Sequence, residues 1–232
     1  MTGLADNEEE SRTFSSRVKI LVVGDKGVGK TSLVKRFSEG SFFKTYVPTE
    51  GVDFFHKRVI LREVYEVSIQ LLDLSGDALV NKTSLKIYSH GSQAVMIVYD
   101  STQCSSLANV TQWVTELKSI PALQGDEIFW VLAANKNDLQ NVTTCSSQMH
   151  KDTIVTHQLS GYVVSARTGE GVNECFLRIV ATVLGIQMTQ NDLERSKTIL
   201  RTEIDQVHDD SEEDSTESQK TAEDISTSCT LL

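Results

Sequence analysis

Four short runs hold the residues able to do chemistry, and their order along the chain is as informative as their types. The first, Gly24-Asp25-Lys26-Gly27-Val28-Gly29-Lys30-Thr31, fits the pattern G-x-x-x-x-G-K-[ST] and continues into Ser32. Its glycines let backbone N–H groups close around phosphate oxygens, helped by the positive end of a following helix. Lys30 supplies a point charge to the β and γ phosphates of a nucleotide, and Thr31 offers a hydroxyl to Mg2+. The second run, Asp73-Leu74-Ser75-Gly76, joins an acid that can reach Mg2+ through water to a glycine whose N–H can meet a γ-phosphate. The third, Asn135-Lys136-Asn137-Asp138, offers a carboxylate that can accept from guanine N1–H and its exocyclic N2 amine, a pair adenine does not present. Asn135 can buttress that loop, and the stem of Lys136 can cover the base. The fourth, Ser165-Ala166-Arg167, places a backbone N–H where the base's O6 can accept it. Each of the last three alone is a common polar turn. In this order, behind a phosphate-binding loop, they describe a guanine-nucleotide site.

Such loops need strand ends to hold them. Residues 17–23 (RVKILVV) are a short apolar run ending at Gly24, which predicts a buried strand. From Lys30 to Phe37, Leu33, Val34 and Phe37 share one helical face. Residues 51–61 and 64–72 alternate around Arg62-Glu63 and predict a hairpin. The runs 93–99 and 127–134 predict further buried strands and 161–164 a short one, with helical patterns near 104–119, 145–157 and 171–184. Strand, crossover helix, strand, repeated, predicts a three-layer α/β fold of the P-loop NTPase kind. Its six-stranded sheet is mostly parallel with one antiparallel edge hairpin, and helices cover both faces.

Composition limits the rest. A chain of 232 residues with 39% hydrophobic content supports one domain with tails. No stretch approaches the roughly 20 apolar residues of a membrane helix, and the start, MTGLADNEEE, is acidic where a secretory leader is basic and then apolar. Four separated cysteines with no CxxC pair read as reduced thiols of a cytoplasmic protein, and five histidines show no metal-ligand spacing. The net charge of -10 sits at the ends: nine acids and one base lie from Asp205 onward, and four acids and one base in residues 1–16. The near-neutral body carries no electrostatic footprint for nucleic acid. The expected organisation is a disordered acidic tail (1–16), a nucleotide-binding domain (17–186), a helical extension (187–207) opened by a Thr189–Asp192 capping box, and a second disordered acidic tail (208–232).

Taken in order, GDKGVGKT, PTEGVDF, DLSG, NKND and SAR resemble the loops of the small GTPases of the Ras superfamily. The span PTEGVDFF is most similar to the Rab family. GVDFFHKRVIL, YSHGSQAVMIVYD, VSARTGEGVNECF and ATVLGIQ resemble the divergent Rab branch numbered twenty-eight. The resemblance implies a monomeric switch that binds GTP or GDP with Mg2+, hydrolyses GTP, and is served by an exchange factor, an activating protein and effectors at segments near 43–51 and 75–90. It implies a nucleotide site of Asp25, Lys26, Gly27, Val28, Gly29, Lys30, Thr31, Ser32, Phe42, Tyr46, Thr49, Gly76, Asn135, Lys136, Asp138, Ser165, Ala166 and Arg167. Within that set Phe42 stacks on guanine, Tyr46 closes over the phosphates, and Thr49 joins Thr31 and Asp73 at Mg2+ only while a γ-phosphate is present. Phe42 also reads as a plain core phenylalanine. Lys30 and Asp77 are the implied catalytic positions.

Three positions depart from the family pattern. Asp77 stands where a glutamine usually orients the attacking water. A carboxylate ~4 Å from the γ-phosphate, at an effective dielectric of ~20, costs up to about 4 kcal/mol, so intrinsic hydrolysis is expected to be slow. Lys26 brings a long cation into the phosphate loop; it adds a phosphate contact, obstructs an incoming arginine, or stays solvated. Leu72 replaces the tryptophan of an effector-facing aromatic cluster whose other members match Phe54 and Tyr88. The run Cys229-Thr230-Leu231-Leu232 fits a prenylation box of the geranylgeranyl type, implying a prenyltransferase, a prenyl-binding carrier and reversible attachment to the cytoplasmic face of endosomal or other membranes. The branch resemblance also implies endosome-to-lysosome sorting or a link with cilia. The expectation is therefore a slow GTPase switch of membrane traffic. Its rivals are a recruited scaffold that hardly hydrolyses GTP and an ATPase, the latter opposed by the NKND run.

Overall fold

The computed structural model describes residues 14–192 apart from 81, 126, 143 and 190. The expectations for residues 1–13 and 193–232, Cys229 among them, lie outside the described residues. In chain order the elements are β1 (Phe14–Val23), α1 (Lys30–Glu39), β2 (Val52–Leu61), β3 (Tyr65–Leu74), α2 (Lys82–Ser89), β4 (Ala94–Asp100), α3 (Cys104–Ala108), α4 (Val110–Lys118), β5 (Phe129–Asn135), α5 (Ser147–His157), β6 (Ser160–Val163) and α6 (Val172–Val183). The strands form one sheet in the order β2-β3-β1-β4-β5-β6. Every neighbouring pair is parallel except β2 with β3. This is the mostly parallel six-stranded sheet with one edge hairpin that the alternation predicts.

Alternate residues of β1 point to opposite faces and start two cores. Ile20 and Val22 pack with Leu33, Val34 and Phe37 of α1 and with Phe176 and Val180 of α6. Leu21 and Val23 pack with Leu85 of α2, Leu107 of α3, and Trp113 and Leu117 of α4. β4 is buried along its whole length, as a central strand covered on both faces must be. Phe37 stacks on Phe176 with ring centroids 4.4 Å apart, fixing α1 against α6.

Three elements differ from the sequence pattern. β1 begins at Phe14, inside the segment assigned to the acidic tail, because Phe14–Ser16 pair with Tyr65–Val67 through backbone groups that need no apolar side chain. The single helix expected over 104–119 is two, α3 and α4, meeting at Asn109. α2 has no counterpart among the expected helices: it buries only Leu85 and Ser89, too thin a face to register as a period. The hairpin turn falls at Arg62-Glu63 as expected, both residues left-handed (φ 51 and 63), with Val64 N–H donating to Leu61 O. That is the twist a tight β2–β3 connection requires. At the chain's far end Thr189 donates to Asp192 Oδ2 from both N–H (2.8 Å) and Oγ1 (2.7 Å), and Asp192 N–H returns a bond to Thr189 Oγ1. The capping box is thus formed, while the positions it would open lie beyond the described residues.

One buried polar pair sits behind the sheet. His150 of α5 shares a hydrogen bond between Nδ1 and the Tyr99 hydroxyl at 3.0 Å, and burial holds its imidazole below the ordinary 6.5. As pH falls, the unfolded chain binds this proton first. The stability linked to neutral His150 is therefore intact above pH 6.5 and is lost as pH drops below it, by at most about 1.4 kcal/mol per pH unit. In urea melts at about pH 7.5 and about pH 5, His150→Gln should lose less stability on acidification than the parent. Parallel losses would show that His150 titrates alike in both states.

Candidate functional site

The four runs meet at the carboxyl ends of β1, β3, β5 and β6, where open parallel sheets place their ligands, around a cavity of about 560 Å3. β1 leads into the glycine-rich loop and α1 leaves it. Gly27 (φ 77) and Gly29 (φ 92) take left-handed backbone that lets the loop fold back on itself. Gly29 caps α1 with no side-chain bond, so the first-turn N–H groups of that helix keep no side-chain partner at the cavity wall. Lys30 is buried, and its ammonium donates to the carbonyls of Gly24 and Asp25, each at 2.9 Å. Burial lowers its pKa to about 8, against the pull of Asp73, Asp25 and Asp77. A cation held this way is poised to meet phosphate oxygens.

Two members of the loop keep their side chains out of the cavity. The Asp25 carboxylate turns away from the cavity and accepts from Trp113 Nε1 (2.8 Å) and Asn109 Nδ2 (2.7 Å). The Val28 side chain is buried in the core, and the residue contributes its carbonyl to Asn135 Nδ2 at 2.9 Å. Both therefore shape the loop through backbone and anchoring rather than by side-chain contact with a ligand. Lys26, Gly27, Gly29, Thr31 and Ser32 line the cavity as expected.

Three oxygens converge beside the loop. Thr31 Oγ1 donates to Asp73 Oδ2 at 2.5 Å and lies 2.9 Å from Thr49 Oγ1, and Thr49 Oγ1 reaches the same Asp73 oxygen at 3.3 Å. The second oxygen of Asp73, Oδ1, is buried with no hydrogen-bond partner. Burial raises the Asp73 pKa to about 6, against the opposing pull of Thr31 and Lys30. A buried carboxylate with an unsatisfied oxygen among two hydroxyls fits a small hard divalent cation, since such a cation takes all-oxygen donors and removes the cost of the buried charge. The donor set present is therefore compatible with Mg2+.

The opposite wall is built from Asn135, Lys136, Asp138, Ala166 and Arg167. Asn135, fully enclosed, ties three runs together: Nδ2 donates to Val28 O, and Oδ1 accepts from Ala166 N–H at 3.1 Å. The Ala166 N–H is thus already engaged, and a base carbonyl would share it or meet Arg167 instead. Ser165 is buried outside the cavity lining and donates through Oγ to Asp138 Oδ1 at 2.6 Å, so its side chain orients that carboxylate. Asp138 Oδ2 stands 3.6 Å from the Arg167 guanidinium, and both residues line the cavity. Lys136, with left-handed backbone (φ 66), extends its ammonium to Gly27 O (3.0 Å) and to Asp100 Oδ2 (2.6 Å), which draws its stem across the site.

Asp100 and Arg36 are the positioning residues that motif reading missed. Asp100 is buried at the end of β4 and holds Lys136. Arg36 donates to Ala166 O (2.9 Å), Arg167 O (2.8 Å) and Gly40 O (2.6 Å), fastening the last loop to α1. The signal for Asp100 was an acid ending an otherwise apolar strand; Arg36 left no local signal.

Phe42 lines the cavity and packs against the core beside Arg36. Tyr46 stands exposed at the rim. Gly76 abuts the phosphate loop so closely that a Cβ would collide with the backbone of Lys26. Asp77 is exposed at the cavity with its N–H directed to Ser75 Oγ, and Lys26 is exposed on the same wall. Beyond the rim, Phe54 and Tyr88 meet edge-on at 5.9 Å. Leu72 pairs with Phe54 across the β2–β3 ladder and is buried, so it backs the aromatic pair without extending it outward.

Comparison with known proteins agrees with this geometry. The sequence profile of the Ras family matches residues 19–185. The chain is 33% identical over 184 residues to the Ras-related protein Rab-28 of Caenorhabditis elegans, covering 79% of this chain and 74% of the relative. It is 32% identical to the Ras-related protein Rab-1D of Dictyostelium discoideum over 165 residues, 71% of this chain and 78% of the relative. The Ras-related protein Rab-10 of Caenorhabditis elegans is 26% identical over 188 residues, 81% of this chain and 91% of that one. Members of this family bind GTP and GDP with Mg2+, hydrolyse GTP, and engage exchange factors, activating proteins and effectors. With the profile spanning the folded body and the loops in family order around one cavity, the chain belongs to the Ras family, as a Rab small GTPase of membrane trafficking.

Proposed function

We propose that this chain is a slow GTPase switch whose timing is set by Asp77, with Thr31, Thr49 and Asp73 as the cation-holding residues and Asp138 as the reader of guanine. The convergence of two hydroxyls on a buried carboxylate with an orphaned oxygen carries the reading. Lys30 and the N–H groups of the 26–31 loop would hold the β and γ phosphates, while Asn135 and the stem of Lys136 keep the base seat in shape. A bound Mg2+ would neutralise charge that builds on the phosphoryl oxygens during transfer. Thr49 and Gly76 sit on the two segments that a γ-phosphate would draw in, and release of those segments after hydrolysis is the switch. Exposed Phe54, its half-buried partner Tyr88 and the adjacent exposed Ile87 supply the effector surface.

A second reading is favoured by the placement of Asp77 and Lys26 together on the cavity wall: a scaffold that binds GTP and holds it. A single-turnover time course of GTP-loaded protein in Mg2+ separates the two. Slow but measurable GDP formation supports the switch, whereas GTP that persists for many hours supports the scaffold.

Cys229 is the proposed lipid attachment site, directing the protein to the cytoplasmic face of endosomal or related membranes, with a cilium-associated pool as the narrower assignment. A single prenyl chain anchors weakly, and the acids preceding Cys229 are repelled by anionic lipid, so attachment is reversible and a prenyl-binding carrier keeps a sizeable unattached pool. Cys229→Ser should move the whole population to the unattached fraction on cell fractionation. Membrane retention of that variant would sink the assignment.

A further inference from the structure

Two cysteines that the nucleotide chemistry does not use lie on adjoining segments outside the cavity. Cys104 is the first residue of α3, just beyond Asp100 at the end of β4, and Cys145 follows the guanine-reading turn. Three links stitch their segments together: Cys145 N–H donates to Ser101 O (3.3 Å), Thr144 Oγ1 donates to Thr102 O (2.9 Å), and Cys104 Sγ donates to Thr144 Oγ1 (3.4 Å). Cys145 belongs to the buried cluster on that face of the sheet, and Cys104 packs against the same cluster. Their surroundings are unequal. Cys104 is half-exposed, and the Thr144 hydroxyl, which can turn its proton to the sulfur once the thiol ionises, lowers its pKa. Cys145 is buried in the core over that face of the sheet, and burial pushes its thiol up. An accessible thiol with thiolate character beside a buried partner is the arrangement of an attacking and a resolving cysteine.

We propose that Cys104 and Cys145 form a reversible oxidation site that takes hydrogen peroxide as oxidant and closes to an intramolecular disulfide. The Cys104 thiolate attacks one peroxide oxygen and the O–O bond breaks. Hydroxide leaves, takes up the proton that Cys104 gave up and becomes water, and Cys104 is left as a sulfenic acid. The Cys145 sulfur then attacks the Cys104 sulfur. The S–S bond forms, the S–O bond breaks, and the hydroxyl departs as a second water with the proton from Cys145. Two thiols lose two electrons and two protons, and one peroxide is reduced to two waters. A dithiol reductant reverses the step by exchange.

The consequence for the nucleotide rests on the function proposed above. The cross-link would close a loop of chain that contains β5 and the Asn135–Asp138 turn. It would also pin the segment leading from Asp100, whose carboxylate holds Lys136 at 2.6 Å. Opening of that turn is needed for a base to leave, so the disulfide form releases GDP several-fold more slowly.

The test uses the full chain with its four cysteines, treated with hydrogen peroxide and then with N-ethylmaleimide under denaturing conditions. The expected result is an intact mass lower by two hydrogens, two thiols protected from alkylation, a mapped peptide joining residues 104 and 145, and recovery with dithiothreitol. Cys104→Ser should form no disulfide, and Cys145→Ser should stop at a sulfenic acid on Cys104 that dimedone traps. Oxidation confined to Cys229, or disulfide-linked dimers with Cys104 and Cys145 still alkylated, would overturn the site. Release of a fluorescent GDP analogue is followed in parallel. A mapped disulfide with unchanged release overturns the coupling alone, whereas failure of the reduced protein to bind the analogue overturns the nucleotide reading and leaves the oxidation site standing.

Discussion

Asp138→Asn is expected to weaken GDP and GTP binding by about 10^2- to 10^4-fold while xanthine nucleotides lose far less. The geometry dictates the sign. Ser165 Oγ donates to Asp138 Oδ1 at 2.6 Å, so in the variant the amide oxygen keeps that bond and the amide nitrogen takes the position of Oδ2. A donor then faces the two donors of guanine, N1–H and the N2 amine, where a carboxylate had accepted both. Hydrogen bonds to a charged group contribute about 1.5–3 kcal/mol each, so losing two costs about 3–6 kcal/mol, which is the range of affinity stated. Xanthine carries a carbonyl where guanine carries the amine and can accept from the new amide. Competition titrations with the two nucleoside diphosphates measure the difference. A variant that holds GDP within threefold of the parent would remove Asp138 from base recognition.

Asp77→Gln is expected to speed single-turnover GTP hydrolysis by about 10- to 100-fold. A charge of about one unit beside the γ-phosphate opposes the negative charge gathering there, with an upper bound near 10^3-fold at ~4 Å and a dielectric of ~20. Asp77 is exposed, so water and salt screen part of that effect, and the smaller range follows. The neutral amide also offers both an acceptor and a donor to orient the attacking water. Because the side chain is exposed, the substitution should leave thermal stability within about 0.5 kcal/mol, so the gain in rate is not a folding effect. If the parent hydrolyses as fast as the variant, the carboxylate is not the brake. If only the variant turns over, the scaffold reading replaces the switch and nucleotide exchange alone resets the protein.

Strand periodicity and loop motifs are local properties, and for that reason they were legible in the chain. The apolar runs ending at Gly24, Asp73, Asn135 and Ser165 each predict a strand that delivers a polar loop, and the β2–β3 turn at Arg62-Glu63 was readable from a break in alternation. That the glycine-rich loop, Asp73 and Asp138 belong to one candidate site was readable from side-chain chemistry and order, and the structure brings them to one cavity. Long-range ties were not legible, because they depend on which strands become neighbours. Placing β4 between β1 and β5 brings Asp100 to Lys136, and the same order sets Asn135 against Val28. Packing α4 over β1 and β4 turns the Asp25 carboxylate toward Trp113 and away from phosphate. Laying α6 beside α1 carries the last loop within reach of Arg36. The nearness of Cys104 and Cys145 has the same origin: 41 positions apart in the chain, their segments adjoin because Cys145 N–H donates to Ser101 O and Thr144 Oγ1 donates to Thr102 O. Local patterns name the candidate residues. The geometry that holds them, and the groups it turns away from the ligand, arises from contacts between segments that no local pattern encodes.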